Sequence, residues 1–252
     1  MRSFTGRSIV SIRDMTKDDL VKVVETAERV KEEGLTGFLS GKTVATLFFE
    51  PSTRTRLSFE SAVFKSGGAV FGIADPKASS LSKGESFADS IRTISGYCDV
   101  MVIRHPVEGA ARMASEFSRK PVINAGDGAN QHPTQTFLGL FTIHEEFNTL
   151  SGLRIGMMGD LKYGRTVHSL THALAVFGNR LTFVSPPTLR MPDNILKELD
   201  ERDIDYRITE SLEDSEDSEL DVLYVTRIQK ERFGDPQEYK KVAGTYRLTR
   251  SE

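Results

Sequence analysis

Short apolar runs alternate with helical patterns along most of this 252-residue sequence, and this alternation restricts the fold more than any other feature. The first clear example is the apolar, β-branched run at residues 43–49, which predicts a buried strand. A helical pattern follows and is expected to end at Gly67, because glycine readily adopts the left-handed conformation that closes a helix. Strands that alternate with helices form parallel sheets covered on both faces, so we predict an α/β fold.

The alternation is interrupted at residues 148–152 and then starts again. We therefore predict two domains, residues 1–147 and 148–252, each with a central parallel β-sheet flanked by helices. Ligands on such sheets gather at the carboxyl ends of the strands, so the site is expected in the cleft between the domains. The predicted strands are 43–49, 69–73, 99–103, 121–124, 153–158, 181–184, 206–208 and 222–225, and further predicted helices are 16–33, 87–97, 110–117, 134–147, 166–177 and 193–203.

Charge and cysteine content exclude several classes of protein. The formal net charge is −3, so no overall basic field attracts nucleic acid or an anionic membrane. Cys98 is the single cysteine, which excludes an internal disulfide and a cysteine-based zinc site within one chain. We find no apolar run of signal-peptide length at the N-terminus and none that could span a bilayer. We expect a cytoplasmic protein without nucleic-acid or membrane partners.

Residues 52–56, Ser-Thr-Arg-Thr-Arg, lie between the first predicted strand and its helix. Ser52 is a favourable N-cap residue, and a helix N-terminus presents unpaired N–H groups and the positive end of the helix dipole. Hydroxyls and guanidinium groups at that place favour an anion, and phosphate suits them. The alternative is a capped helix whose arginines pair with surface carboxylates. Three hydroxyls interleaved with two arginines make us favour phosphate.

Further cations are predicted near strand ends. Arg54, Arg104, Arg165 and Arg227 each follow a predicted strand, and Lys83 lies in the polar loop 78–86. Each charge-assisted hydrogen bond to a carboxylate or phosphate contributes roughly 1.5–3 kcal/mol, whereas so many cations in one cleft would repel one another without a polyanionic ligand. A phosphate together with a dicarboxylate would satisfy them. These residues alone predict group transfer from a phosphorylated donor to an acidic acceptor.

Histidines and glycines in other motifs leave alternatives open. His132, in the loop before a predicted helix, could polarise a carbonyl, or it could simply cap that helix. The segment 156–160 resembles a dinucleotide-binding turn, but the Gly-x-Gly-x-x-Gly pattern and the later acidic residue are missing, so we reject that interpretation. His168 and His172 are four residues apart without the glutamate of a zinc-protease motif, and we interpret them as ordinary helix histidines.

Several of these motifs together resemble the aspartate and ornithine carbamoyltransferase family. The resemblance is carried, in the family's order, by residues 49–60, 104–106, 132–135, 159–169 and 226–229. The block Asp-Leu-Lys-Tyr-Gly-Arg at 160–165 is similar to the members that use aspartate, since the ornithine enzymes carry an asparagine-containing sequence there. The resemblance implies transfer of a carbamoyl group from carbamoyl phosphate to the α-amine of L-aspartate, a step of pyrimidine biosynthesis, without a metal or cofactor.

The resemblance also implies a role for each matching residue. The phosphate would be held by Ser52, Thr53, Arg54 and Thr55. The carbamoyl carbonyl would be polarised by Thr55, Arg104 and His132, and its amide would be held by Gln135. The two carboxylates of aspartate would be held by Arg165, Arg227 and Gln229.

Members of this family form catalytic homotrimers with sites shared at subunit interfaces. The resemblance implies that Lys83 and a serine reach into the neighbouring site; Ser79 has the family's spacing, and Ser80 is the alternative. Some members also bind a separate regulatory chain, and this sequence leaves that open. The family continues beyond the position of Glu252, to a His-Pro-Leu-Pro-Arg loop and a C-terminal helix. We therefore expect a polypeptide that ends at Glu252 to be poorly stable and poorly active.

Three alternatives remain beside this interpretation. The first is a related transferase with another amine acceptor such as ornithine, whose cationic side chain would be repelled by Arg165 and Arg227. The second is a non-catalytic, ligand-binding homologue, although Arg54, Lys83 and His132 are all present. The third is a nicotinamide-dependent oxidoreductase, which the missing dinucleotide fingerprint argues against.

Overall fold

Two four-stranded sheets form the framework, and every strand pair that they contain is parallel. They are seen in a computed structural model that describes residues 3–35, 37–73, 83–212, 220–228, 237 and 239–240. The chain divides into two compact units, Met1–Leu138 and Gly139–Glu252. This confirms the predicted α/β class with two parallel sheets. The predicted boundary after Phe147 stays a prediction.

The first unit holds the sheet with strand order β2-β1-β3-β4. Its chain order reverses between β1 and β3, which is the place where open α/β sheets bind their ligands. The strands are β1 (Thr43–Phe48), β2 (Ala69–Ile73), β3 (Val100–His105) and β4 (Val122–Asp127). The helices are α1 (Lys17–Glu33), α2 (Thr53–Lys65), α3 (Phe87–Ser95), α4 (Ala110–Phe117) and α5 (Pro133–Phe147), which begins in this unit.

The alternation of side chains along β1 explains why the first sheet is covered on both faces. Ala45 and Leu47 join a core cluster with Ile91 of α3 and Ala114 of α4. Val44 and Phe48 point to the opposite face, where they cluster with Val63 of α2. Successive residues of a strand face opposite sides, so an unbroken apolar run needs a helix on each side.

The start of α1 and the end of α2 are determined by residues next to them in the sequence. Thr16 and Asp19 form a capping box at the start of α1, with the Asp19 amide donating to the Thr16 hydroxyl at 3.2 Å. α2 ends at Lys65, and Gly67 follows with φ of 77°, in the left-handed region that glycine enters without strain. Both ends were predicted.

The second unit holds the sheet with strand order β7-β6-β5-β8. Here the chain order reverses between β5 and β8. Every residue from Val167 to Ala175 of α6 is buried, so this helix lies in the core of its unit. The elements are β5 (Arg154–Met158), α6 (Arg165–Ala175), β6 (Arg180–Val184), α7 (Asp193–Asp200), β7 (Tyr206–Thr209) and β8 (Val222–Val225).

Two strands of the first sheet are longer than predicted. β3 continues to His105 and β4 continues to Asp127, beyond the predicted ends at residues 103 and 124. Polar side chains at these strand ends break the apolar pattern, whereas backbone pairing continues, with His105 in register with Asp127 after an irregularity. No described helix is both long enough and apolar enough to cross a membrane.

Candidate functional site

The carboxyl ends of β1 and β3 lie side by side at the reversal point of the first sheet. Glu50 follows β1, and its Oε2 lies 3.1 Å from Nε of Arg104, the penultimate residue of β3. Nη1 of Arg104 also donates to the carbonyl of Ala125 on β4 at 3.4 Å. The Arg104 side chain is only 13% exposed. These contacts fix a guanidinium at the edge where a ligand of this sheet would bind.

The anion-binding residues predicted after β1 lie at the start of α2. Ser52 occupies the N-cap position, as predicted, but its hydroxyl makes no capping hydrogen bond. Arg54 is exposed, whereas Nε of Arg56 lies 2.7 Å from Oε1 of Glu60 on the same helix. Arg56 is thus paired with a carboxylate, as the alternative interpretation predicted for these arginines. Thr53 and Thr55 lie in the first turn, so the N-terminal segment of α2 offers hydroxyls, N–H groups and Arg54.

His132 lies directly before α5 and is 6% exposed. Its carbonyl accepts the amides of Gln135 and Thr136 at 3.1 and 3.2 Å, so it does begin the helix, as the alternative interpretation predicted. Nδ1 of its ring lies 3.4 Å from the Thr134 hydroxyl. Gln135 is half-buried in the first turn of α5. Both residues follow β4, at the same edge as Arg104.

An aromatic group surrounds His105 at the end of β3. Its ring packs edge-on against Phe49 and Phe87, with centroids 5.3 and 5.2 Å away. The amide of Val107 donates to Nδ1 of His105 at 3.0 Å, which places the proton of the neutral ring on Nε2. Burial in this apolar group lowers the pKa of His105 below its ordinary value of 6.5. The neutral form is therefore favoured.

Of the predicted site residues Lys83, Ser79 and Gln229, the structure describes only Lys83. Lys83 is exposed and precedes α3. Ser79 and its alternative Ser80, as well as Gln229, lie outside the described residues. Their predicted roles remain predictions.

The loop between β5 and α6 in the second unit is held by hydrogen bonds. The Asp160 carboxylate, on a residue with no exposed surface, accepts the amide of Tyr163 at 2.9 Å. Nε2 of His168 lies 2.7 Å from the carbonyl of Leu161, which can only accept, so Nε2 carries the proton. His172 lies 3.4 Å from Glu198 through Nδ1. Both histidines thus have protein partners, as their interpretation as ordinary helix residues predicts.

Arg165 and Arg227 lie at the reversal point of the second sheet. Arg165 is the first residue of α6 and is 8% exposed, whereas Arg227 is exposed two residues after β8. β5 and β8 are neighbours, and the amide of Thr226 donates to the carbonyl of Met158 at 2.9 Å. Each arginine follows a strand, as predicted, and the structure shows that the two strands are adjacent. In the first unit, likewise, Arg54 and Arg104 lie at or after the ends of β1 and β3, where its chain order reverses.

Two acidic residues of the first unit were missed by the sequence interpretation. Glu50 received no role, although its position between a strand and an arginine-bearing helix was visible. Asp127 lies beyond the predicted end of its strand at residue 124, and it received no role, although the pattern Gly126-Asp127-Gly128 is typical of a turn. The partner of Glu50 is distant in sequence, so no local pattern reveals it. Three of the four donors to Asp127 lie within four residues of it, so the turn pattern around Asp127 was the signal that could have found it.

Two family models cover most of the chain. The carbamoyl-phosphate-binding domain of the aspartate/ornithine carbamoyltransferases matches residues 7–145. Their aspartate/ornithine-binding domain matches residues 151–251.

Relatives and solved structures agree with those models. The aspartate carbamoyltransferase catalytic subunit of Methanopyrus kandleri is 55% identical over 99% of this chain and 82% of its own length. The corresponding subunit of Thermococcus gammatolerans is 56% identical over 97% and 80%. The catalytic subunit of M. jannaschii aspartate transcarbamoylase superposes with a TM-score of 0.88 at 51% identity, over 97% of this chain and 81% of its own. The Trypanosoma cruzi enzyme in complex with carbamoyl phosphate and aspartate superposes with a TM-score of 0.85 at 37% identity, over 94% and 78%. This chain belongs to the aspartate/ornithine carbamoyltransferase family.

Proposed function

We propose that this protein transfers the carbamoyl group of carbamoyl phosphate to the α-amine of L-aspartate, giving N-carbamoyl-L-aspartate and phosphate. The observation that carries the proposal is the pair of arginines at the reversal point of the second sheet, the buried Arg165 and the exposed Arg227. Two guanidinium groups suit the two carboxylates of aspartate, since each can bind a carboxylate in a bidentate manner. A cationic acceptor such as ornithine would bring a third positive charge to them.

The first unit supplies the groups that a phosphorylated donor requires. Ser52, Thr53, Arg54 and Thr55 at the start of α2 hold the phosphate, where N–H groups and the helix dipole favour an anion. Arg104 and His132, with Thr55, direct donors at the carbamoyl oxygen, and Gln135 holds the carbamoyl amide. The family membership of the chain and the placement of these residues at one edge of the first sheet support these roles.

The reaction forms one bond and breaks one bond at the carbamoyl carbon. The amine nitrogen of aspartate attacks the carbon, and the C–O bond to phosphate breaks, with its electron pair leaving on phosphate. The amine loses a proton, and the departing phosphate is a base that the substrates supply. Negative charge grows on the carbamoyl oxygen in the transition state, so donors fixed there accelerate the reaction, typically by about 10²–10³ each. Positioning of both anions, with Gln229 as a further carboxylate ligand, provides the rest.

The proposal includes an assembly and a cellular setting. We propose that the protein is a cytoplasmic homotrimer in which Lys83 and Ser79 complete the site of a neighbouring copy. The enzyme would act in pyrimidine biosynthesis. A separate regulatory chain would be an additional partner in some settings. The relatives are named catalytic subunits of aspartate carbamoyltransferase, which supports an assembly of several chains. No cofactor takes part in the proposed reaction.

Product analysis tests the reaction itself. The protein is incubated with carbamoyl phosphate labelled with ¹³C in the carbamoyl group and with L-aspartate, and the carbon is followed by NMR. We expect labelled N-carbamoyl-aspartate and phosphate in equal amounts. Release of phosphate without that product would refute the proposal.

Subunit mixing tests the shared site. Inactive Lys83→Ala and Arg54→Ala chains are dissociated, mixed and reassembled. Hybrid trimers should regain some intact sites, because one copy can supply Lys83 while another supplies Arg54. If trimers form again and no activity returns, Lys83 does not act across the interface.

A further inference from the structure

We infer that Asp127 is a positioning residue for His132: its carboxylate fixes the loop that carries the histidine, and its effect on turnover passes through that ring. The inference rests on the proposed function, because it assigns His132 to the carbamoyl oxygen. Asp127 ends β4 and is 2% exposed. Both oxygens of its carboxylate face protein donors, and the loop from β4 to α5 is built around it.

Both oxygens of the Asp127 carboxylate are fully used. Oδ1 accepts Nδ2 of Asn124 at 2.9 Å and the backbone amide of Gln131 at 3.1 Å. Oδ2 accepts the backbone amide of Gly109 at 2.9 Å and Nδ2 of Asn130 at 3.1 Å. Four donors thus converge on one buried anion, and charge-assisted hydrogen bonds of this kind are about twice as strong as neutral ones.

These four contacts join segments that are separate in the chain. Gly109 is the residue before α4, whereas Asn124 lies on β4 and is itself fixed, since its amide also donates to the carbonyl of Val10 at 2.9 Å. Asn130 and Gln131 belong to the loop that leads to His132. The carboxylate therefore ties that loop to the same edge of the sheet as Arg104.

Gln131 transmits this restraint to His132. Its amide donates to Asp127 Oδ1, its carbonyl accepts the Asp127 amide at 3.2 Å, and its side-chain Oε1 accepts the amide of Ile12 at 3.3 Å. The next residue is His132, followed by Pro133, whose ring fixes its own φ. With a residue held at three points on one side and a proline on the other, the backbone of His132 has little freedom. Because misplacement of a reacting group by about 1 Å can cost about 10² in rate, this restraint matters for turnover.

The isosteric change Asp127→Asn tests the carboxylate without changing its shape. Each oxygen of Asp127 faces one backbone N–H, that of Gln131 or that of Gly109, and a backbone amide cannot turn away. In either orientation of the new asparagine amide, its NH₂ group therefore faces the backbone N–H of Gln131 or of Gly109, and that N–H loses its acceptor. We expect kcat to fall by about 10–100-fold, with the dissociation constant for inorganic phosphate, measured by calorimetry, within about threefold of the wild-type value.

A double-mutant cycle with His132→Ala separates positioning from a general structural defect. If Asp127 acts through His132, Asp127→Asn should lower kcat in the wild-type background and have little further effect in the His132→Ala background. An equal fold-loss in both backgrounds, or full activity of Asp127→Asn, would overturn the inference. If the wild-type protein makes no N-carbamoyl-aspartate, it is the proposed function that fails.

Two more variants keep the test decisive. Asn130→Ala removes one donor to Oδ2 of Asp127 and should lower kcat less than Asp127→Asn does. This loss, too, should occur only in the protein that retains His132. If Asp127→Asn fails to fold, Asn130→Ala takes its place in the double-mutant cycle. Glu108→Ala is the matched control, because the Glu108 carboxylate accepts the amide of Ala129 at 3.3 Å in the same loop, but at an exposed position that water can serve. The kcat of Glu108→Ala should match that of the wild type. If Asn130→Ala lowers kcat by no more than Glu108→Ala does, the result counts against the inference.

Discussion

Gly159 and Thr226 approach one another so closely that a side chain on Gly159 has no room. A Cβ built on Gly159 would lie 2.2 Å from the carbonyl oxygen of Thr226, and Gly159 has φ of 117°. Gly159 follows β5 and begins the loop that ends at Arg165, whereas Thr226 precedes Arg227. The two segments that carry the proposed aspartate ligands are therefore fitted backbone to backbone.

This contact predicts the effect of Gly159→Ala. The methyl group must push Thr226 away, so we expect the KM for aspartate to rise about tenfold or more, together with lower thermal stability. Gly152→Ala is the matched control, since Gly152 also has positive φ, 74°, lies before the other end of β5 and has no heavy atom within 4 Å of a new Cβ. It should cost about 1 kcal/mol of stability from strain and leave the KM unchanged. Equal KM values for both variants would contradict the role of the contact.

The lowered pKa of His105 predicts a pH-dependent stability. Burial favours the neutral ring in the folded protein, so the unfolded chain binds a proton at higher pH than the folded one. This contribution to stability is fully present above the ordinary pKa of 6.5 and is lost as pH falls through the lower pKa of the folded state. The loss has a slope of at most about 1.4 kcal/mol per pH unit.

Chemical denaturation of the wild type and His105→Phe from pH 8 downward checks this prediction. Phenylalanine keeps an aromatic ring between Phe49 and Phe87 but cannot titrate. The difference between the two proteins at pH 8 reports packing and the lost hydrogen bond from the Val107 amide to Nδ1 of His105, neither of which depends on titration of the ring. Below pH 6.5 the free energy of unfolding should fall more steeply for the wild type than for the variant. Parallel curves would show that His105 does not contribute.

Arg54 and Arg56 offer a paired test of the phosphate site. They lie two residues apart on α2, but Arg56 is held by Glu60 at 2.7 Å, whereas Arg54 is exposed at the helix start. We expect Arg54→Ala to lower kcat/KM for carbamoyl phosphate by about 10²-fold or more. Arg56→Ala should change it by less than about threefold and cost at most about 1 kcal/mol of stability. Steady-state kinetics distinguish the two, and similar losses would place the phosphate elsewhere.

Arg165 predicts a loss that is specific for the acceptor. Arg165→Lys keeps the charge but loses the planar fork that binds a carboxylate through two hydrogen bonds. We expect the KM for aspartate to rise about tenfold or more, with the affinity for inorganic phosphate unchanged. Arg180→Lys is the control, because the exposed Arg180 pairs with Asp205 at 3.0 Å at the start of β6. A KM for aspartate that does not respond to Arg165→Lys would refute the assignment.

The sequence predicts the strands and helices well where local rules decide them. β1 is predicted as a strand because its residues form one short apolar run, and α1 is predicted to begin after Thr16 because Thr16 and Asp19, three residues apart, form a capping box. The carboxyl ends of parallel strands meet at one edge of their sheet, so the placement of Arg104 in the first sheet, and of Arg165 and Arg227 in the second, could be predicted from the strands that these residues end or follow.

What escaped prediction depends on contacts between distant residues. Ile9 bridges to Ile123 of β4, and the apolar segment around Ile9 is too short to carry a periodic signal for such pairing. The Glu50–Arg104 contact likewise depends on how neighbouring strands are aligned. In the Asp127 network, only the Gly109 amide comes from a distant part of the sequence. Ser52 was correctly predicted as the N-cap residue of α2, but its hydroxyl does not make the capping hydrogen bond. The residue type indicates where a helix begins, whereas the hydrogen bond also depends on the orientation of the side chain.

The choice of acceptor is the central claim, and a direct comparison tests it best. The protein is given carbamoyl phosphate with either L-aspartate or L-ornithine, and the carbamoylated product is quantified as kcat/KM. Because the two arginines of the second unit suit carboxylates and repel a cationic side chain, we predict N-carbamoyl-aspartate and a preference over ornithine of about 10⁴-fold. Citrulline formed from ornithine at a similar or higher rate, with no product from aspartate, would contradict the account.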